Sequence, residues 1–188
     1  MRETTVREAP RSVHHRNDLR APLTPTDHRR GAVRPTITVV EYGDFQCSTC
    51  RAAEPAVKML LASHPESVEL VFRHFPMESA HPLALMAAEA TEAAAAEGKF
   101  WEMHDALLQD GAALDRAALE RAAEALGLDI ALFRSSLDDE IYRQRIREHQ
   151  QGGTRSHLRA SPEFFVNGKV CDISGGMREL ANSIAAAG

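Results

Sequence analysis

The stretch Thr36-Ile37-Thr38-Val39-Val40-Glu41-Tyr42-Gly43-Asp44-Phe45-Gln46-Cys47-Ser48-Thr49-Cys50 joins a β-branched run to a pair of cysteines two residues apart. Pro35 precedes it and Gly43-Asp44 closes the run, so Thr36 to Tyr42 reads as a short buried strand. From Cys47 to about Ser63 the spacing of Val57, Leu60 and Leu61 is helical; Pro65 ends it, and Val68 to Phe72 supplies a second strand. This β-α-β opening implies a right-handed crossover and parallel pairing. It also sets the first thiol at a helix start, among orphan backbone N–H groups and the positive end of the helix dipole. Both favour thiolate over thiol, commonly bringing a cysteine pKa to about 3.5–7.5. Cys50 follows one turn later, close enough to close a small disulfide. The pair can therefore take up and return two electrons.

Downstream, the middle third reads as wholly helical. Leu83, Met86, Ala87, Ala90 and Ala94 make one stripe, and Phe100, His104, Leu107 and Leu108 a second. A third, Leu119, Ala122, Ala123 and Leu126, stops at Gly127. Asp129 and Asp138 are suited to cap two more helices, the last running through Ile141, Arg145 and Ile146 to Gly152-Gly153. Then the pattern changes. Phe164-Phe165-Val166 and Lys169 to Ile173 flank Asn167-Gly168, a strong hairpin signal, and a final helix runs from about Met177 to Ala187. The order is β-α-β, helical block, β-β-α.

Upstream, residues 1–34 hold eight Arg against four acidic residues, with three prolines and little apolar periodicity. They read as a flexible polar tail, leaving residues 35–188 as the folded domain and about 78–155 as its helical insertion. The whole chain is 188 residues with 44% hydrophobic residues, 5% aromatic and a net charge of −5, the composition of one ordinary globular domain. Without the tail the balance is 14 basic against 23 acidic residues, which excludes nucleic acid as the partner of the folded part. No apolar stretch is long enough to span a membrane, since the run Ala93 to Ala96 is bracketed by Glu92 and Glu97. No export signal is readable near Arg2 and Arg7, so the cytoplasm is the expected compartment, with the periplasm as the alternative if the N-terminus is not native.

The segment Val40 to Cys50, with Pro55 after it and Ser161-Pro162-Glu163-Phe164-Phe165-Val166-Asn167-Gly168 near the end, resembles the DsbA-like branch of the thioredoxin superfamily. Phe100-Trp101-Glu102-Met103-His104 and His81-Pro82 share the resemblance, which covers roughly residues 35 to 187 and is close to the thioredoxin-like modules that some bacteria fuse to sodium/proton antiporters. It implies an α/β thioredoxin fold, with β-α-β and β-β-α halves around an all-helical insertion. It implies a protein-disulfide oxidoreductase in which Cys47 is the nucleophile, Cys50 the resolving thiol and Pro162 a cis-proline facing them. The backbone of Ser161 would pair with an extended substrate, with Ser48 and Thr49 beside it. Partners would be protein or low-molecular-weight thiols and disulfides, and no cofactor or metal is required.

Glu41 stands where such proteins often place a buried acid able to relay a proton to Cys50; the alternative is a carboxylate facing solvent at the strand's end. Where many relatives have Pro and an aromatic or His between the cysteines, this chain has Ser48-Thr49, which leaves the redox poise open. Glu163, if aimed at the site, would raise Cys47 by like-charge repulsion. Cys171 is either a third redox thiol or a small buried apolar residue. His74, His81 and His104 have no ligand spacing on one helix and read as core or surface residues. Two other readings stand beside exchange chemistry: a zinc module using Cys47, Cys50, Cys171 and a histidine, and a redox-sensing interaction module without turnover.

Overall fold

A computed structural model describes residues 18–109 and 111–188. Five strands, β1 (His28–Gly31), β2 (Ile37–Gly43), β3 (Val68–His74), β4 (Glu163–Val166) and β5 (Lys169–Cys171), form one sheet in the order β1-β3-β2-β4-β5. β2 and β3 pair in parallel across α1 (Ser48–Ser63), as the β-α-β reading requires; the other pairings are antiparallel. Asn167 and Gly168 both adopt positive φ, 48° and 78°, the backbone of a two-residue type I′ hairpin turn. The helical block contains α2 (Ala84–Ala96), α3 (Phe100–Leu107), α4 (Arg116–Ala125), α5 (Ile130–Asp138) and α6 (Arg143–Arg155), and α7 (Arg178–Ala187) closes the chain.

Side-chain alternation along the strands divides the core. Ile37, Val39, Val68, Leu70, Phe164 and Val166 pack against Ala53 and Val57 of α1 and Leu180 and Ile184 of α7. Val40, Tyr42, Val71 and Phe165 face the other way, onto Phe75 and Leu158 beyond the end of α6. A third cluster fills the block between α2 and α6 and reaches the cysteine pair through Phe45 and Phe72.

Three readings need correction. The tail does not extend to residue 34: β1 lies inside it, paired with β3, and residues 1–17 lie outside the described residues. Ion pairs rather than apolar periodicity hold this segment down. The Arg73 guanidinium donates to Asp27 at 2.9 and 3.0 Å, with both side chains buried, and Arg30 makes a bidentate pair with Asp105, both contacts at 2.9 Å. Trp101 Nε1 donates to the Arg29 carbonyl at 2.9 Å. Asp138, expected to cap a helix, is instead the last residue of α5, with its carboxylate accepting from Arg116; α6 starts after Tyr142 with no side-chain cap. Asp129 does cap α5, its carboxylate accepting from the Leu132 N–H at 3.0 Å. Gly152-Gly153 does not stop α6, which continues to Arg155. A Cβ on Gly153 would lie 2.8 Å from the Phe75 ring, so this glycine serves close packing of α6 on the segment after β3.

Candidate active site

β2 delivers the chain to a short turn, Asp44-Phe45-Gln46, which turns into α1. Cys47 is the N-cap residue of that helix, in extended backbone (φ −72°, ψ 120°), and Arg51 N–H donates to its carbonyl at 3.1 Å. Its thiol therefore sits beside the unsatisfied amides of the first turn. Cys47 retains 7% exposure while Cys50, one turn on, retains 1%, so only the first sulfur borders the surface. The cysteines are unbonded.

The Cys47 pKa is lowered to about 5. The hydrogen bond from the Cys50 thiol is the largest cause; burial opposes it, and the Cys50 N–H, the Ser161 hydroxyl and the Thr49 N–H add donors. Cys50 is driven far upward, first by burial, then by the bond it gives to Cys47 and by the charge of Glu41. One sulfur is thus the more readily ionised, and the other holds its proton.

Opposite the pair, Ser161-Pro162 is a cis peptide bond, and the Cys47 thiol donates to the Ser161 carbonyl at 3.2 Å. Cys47, Cys50, Ser161 and Pro162 therefore lie together. Ser48 and Thr49 open α1 on the exposed side. Glu41 is 1% exposed, between Phe72 and Phe164 in the sheet register, on the same strand face as Val39 and so beneath α1. Burial, reinforced by the nearby Glu54 charge, raises its pKa to about 8. The solvent-facing alternative does not hold.

Several residues at the site were not anticipated. The Asp44 carboxylate is buried and accepts from the Gln46 and Met77 N–H groups, each at 2.8 Å, and pairs with His81 Nδ1 at 2.7 Å. This clasps the cysteine turn to the segment after β3, and the Asp44 N–H donates to Cys50 Sγ at 3.4 Å. Glu54 was passed over although it stands four residues after Cys50, the spacing that puts two side chains on one helix face. Beside it opens a cleft of about 580 Å³ lined by Ser48, Arg51, Glu54, Pro55, Lys58 and Asp105.

Cys171 is buried in the separate α1–α7 cluster, its sulfur 3.2 Å from Ser183 Oγ. The pKa of Glu163 is raised first by burial and then by the charge of Asp172; that of Cys171 is raised first by burial, with the charges of Glu179, Asp172 and Glu163 adding to it. Among the described residues two groups have metal-ligand spacing, His28 with His74 and Glu92, and Glu54 with His104 and Asp105, and neither contains a cysteine. Both are already filled by cationic side chains. Arg145 donates to the shared Glu92 oxygen at 2.8 Å, while Arg30 and Lys58 hold Asp105 at 2.9 and 3.3 Å.

A family model described as Thioredoxin matches residues 23–186. Among curated relatives, Na(+)/H(+) antiporter NhaA 3 of Salinispora tropica is 48% identical over 153 residues, 81% of this chain and 23% of that protein. NhaA 1 of Salinispora arenicola is 43% identical over 171 residues, 90% of this chain and 26% of that protein. The chain thus spans about a quarter of the length of these relatives. Among the described residues, no helix is long and apolar enough to cross a membrane. A thioredoxin-like oxidoreductase from Silicibacter pomeroyi superposes with a TM-score of 0.74 at 24% identity, covering 87% of this chain and 93% of that one. Oxidised BdbD from Bacillus subtilis gives 0.74 at 20% identity, covering 85% and 91%. The thiol-disulfide exchange protein α-DsbA2 from Wolbachia pipientis gives 0.72 at 16% identity, covering 87% and 88%. With a family match over most of its length and that fold in its structural neighbours, the chain belongs to the thioredoxin family.

Proposed function

We propose that this chain is a thiol–disulfide oxidoreductase whose Cys47 exchanges with disulfides or thiols of proteins and small molecules. The observation that carries the reading is the asymmetry of the pair: a near-surface sulfur at a helix start with its pKa lowered to about 5, and a buried partner pushed the other way. In the reducing direction the Cys47 thiolate attacks a substrate disulfide, forming a mixed disulfide and releasing one substrate thiolate. Cys50 loses its proton and attacks Cys47 Sγ, forming the Cys47–Cys50 disulfide and releasing the second substrate sulfur. The oxidising direction is the reverse, and the surrounding thiol poise sets which one runs. No cofactor enters either direction.

Ser161 and Pro162 present backbone beside Cys47 to an extended peptide, and Ser48 and Thr49 form the other lip. Glu41, buried and charge-coupled to Cys50, takes and returns the proton of the resolving thiol. In the antiporter-named relatives the matching region is about a quarter of the protein, and exchange chemistry is what the geometry of this region supports. The test is a Cys50→Ser variant expressed in cells. Mixed disulfides through Cys47, absent from Cys47→Ser/Cys50→Ser, are expected; their absence, with no reduction of a model peptide disulfide by wild type, would overturn the reading.

A further inference from the structure

On the face of the sheet turned away from α1, a cavity of about 200 Å³ opens between residues 21–27, Tyr42 and Arg73 of the sheet, and α6. It shares no lining residue with the cleft beside Cys47. Donors and acceptors around it do not balance. The Arg73 guanidinium spends all five N–H groups on Asp27, on the Ala21 and Pro22 carbonyls and on the Tyr42 phenol oxygen, at 2.6–3.1 Å. Tyr42 is 0% exposed and is the acceptor in that bond, so its own O–H proton is left over, with no acceptor among the described residues. His149 Nδ1 accepts from the His74 N–H at 3.2 Å, so the ring is neutral and its proton sits on Nε2, again without a partner among the described residues. Burial, aided by the charge of His74, keeps that ring neutral by lowering its pKa to about 3.

Arg145 gives Nε to Glu92 and Nη2 to the Thr26 carbonyl, and keeps Nη1. Arg155 makes no hydrogen bond or ion pair among the described residues and reaches Tyr42 only through its charge. Positions 145, 149, 152 and 155 recur along one stripe of α6, which brings these groups to the same space. Gly152 keeps that space open. A Cβ there would stand 3.0 Å from Ala21 Cβ, 3.2 Å from Tyr42 Oη and 3.9 Å from Arg155 Nη2, so the phenol oxygen and the unpaired guanidinium border the same spot. Two carboxylates also line the cavity. Asp27 is neutralised by Arg73, and Glu148, on the exposed surface of α6, accepts from Gln144 at 3.0 Å.

Four donors without a protein acceptor around one cavity suit a ligand that only accepts, and the two arginines among them favour negative charge. We propose that this cavity is a binding site for a small oxyanion, a phosphate or a carboxylate group, held by Tyr42 Oη, His149 Nε2, Arg145 Nη1 and the Arg155 guanidinium. Its volume suits a single such group. The bound anion ties α6 to β2, so occupancy stabilises the fold. No sulfur takes part, and the site works alike whether the cysteines are reduced, oxidised or replaced.

Calorimetric titration of the full chain with sodium phosphate, and separately with sodium acetate, reads the affinity, with sodium chloride at matched ionic strength as the blank. At least one of the two oxyanions is expected to bind at a single saturable site and to raise the melting temperature as its concentration rises. Phosphate binding alone assigns a phosphate group, and acetate binding alone a carboxylate. Arg155→Met removes an exposed side chain that holds nothing in the fold, so its melting temperature in chloride is expected to match wild type. Its affinity is expected to fall at least about tenfold, the value of one charge-assisted hydrogen bond. Gly152→Ala, which places a methyl group in the cavity, is expected to lose binding, and Cys47→Ser/Cys50→Ser to bind as wild type does. Heats no larger than the chloride blank for both anions would overturn the site and leave water as the partner of these donors. Wild-type affinity in Arg155→Met would overturn it too, because the anion then rests elsewhere on the surface.

Discussion

At Cys47 burial and hydrogen bonding oppose each other, and the result decides the chemistry. Donors from Cys50, Thr49 and Ser161 outweigh desolvation and bring the thiol from its ordinary 9.0 to about 5. The alkylation rate of the reduced protein is therefore expected to rise with a midpoint near pH 5; a midpoint near 9 would show that the donors do not act. Because the folded pKa lies below the unfolded one, the thiolate stabilises the reduced fold most fully above about pH 9. That contribution is lost as pH falls toward 5. Reduced protein should outlast oxidised protein in urea at pH 7 and lose the advantage near pH 5. Glu41 has the opposite sign. Its carboxyl is raised to about 8, so the folded state holds a proton that the unfolded chain releases above about 4.5, and stability falls between those values. Glu41→Gln removes the titrating carboxyl. The variant is expected to gain on wild type steadily from pH 5 to pH 8, by on the order of a few kcal/mol, in parallel urea titrations. A constant difference across that range would mean that Glu41 faces water.

Among the elements, the turn between β2 and α1 shows what sequence could and could not reveal. The strand, the helix start at Cys47 and the Asn167-Gly168 hairpin were readable because each is written in neighbouring residues: β-branching, periodicity, or a dipeptide suited to positive φ. The clasp on that turn was not. Asp44 finds Met77 and His81 across 33 and 37 residues, and nothing in any of the three segments announces the others. Glu41 was found as a candidate, but its burial depends on Phe72 and Phe164 flanking it from two other strands. Asp138 failed as a cap for the same reason: Arg116, 22 residues away, takes its carboxylate. Asp44→Ala tests the clasp. It leaves the Gln46 and Met77 N–H groups and His81 without their acceptor, so a loss of about 3 kcal/mol is expected in chemical denaturation. With the turn released, the amide on Cys50 Sγ loses its fixed position, and the Cys47 alkylation midpoint is expected to drift from the wild-type value. An unchanged denaturation midpoint would make Asp44 a surface-like residue.

Over the whole molecule, the largest misreading was the start of the domain. Composition suggested that residues before 35 could not bury enough apolar surface to fold, and in that narrow sense it was right. What binds β1 is charge. His28 and His74 both meet Glu92 Oε1 at 2.9 Å, and against the cost of burial their hydrogen bonds hold Glu92 far below the ordinary carboxylate range. His28 also stacks on Phe100, with ring centroids 3.5 Å apart, and the Arg30 guanidinium lies 4.5 Å above the Trp101 ring. One four-residue strand thereby ties the sheet edge to α2, α3 and α6, the elements that roof the cysteine pair. A chain beginning at residue 35 would strip Asp27 from Arg73, His28 from Glu92, Arg29 from Glu69 and Arg30 from Asp105. It would also expose β3 as a sheet edge. Leaving the buried Arg73 uncompensated alone costs about 3–5 kcal/mol, against a total stability of about 5–15 kcal/mol for a domain of this kind. The truncated chain is expected to melt far below the chain beginning at residue 18 and to aggregate at the exposed edge, with calorimetry and light scattering as the readouts. Equal melting of the two would show that the domain is complete without β1, and the ion pairs would then be surface decoration.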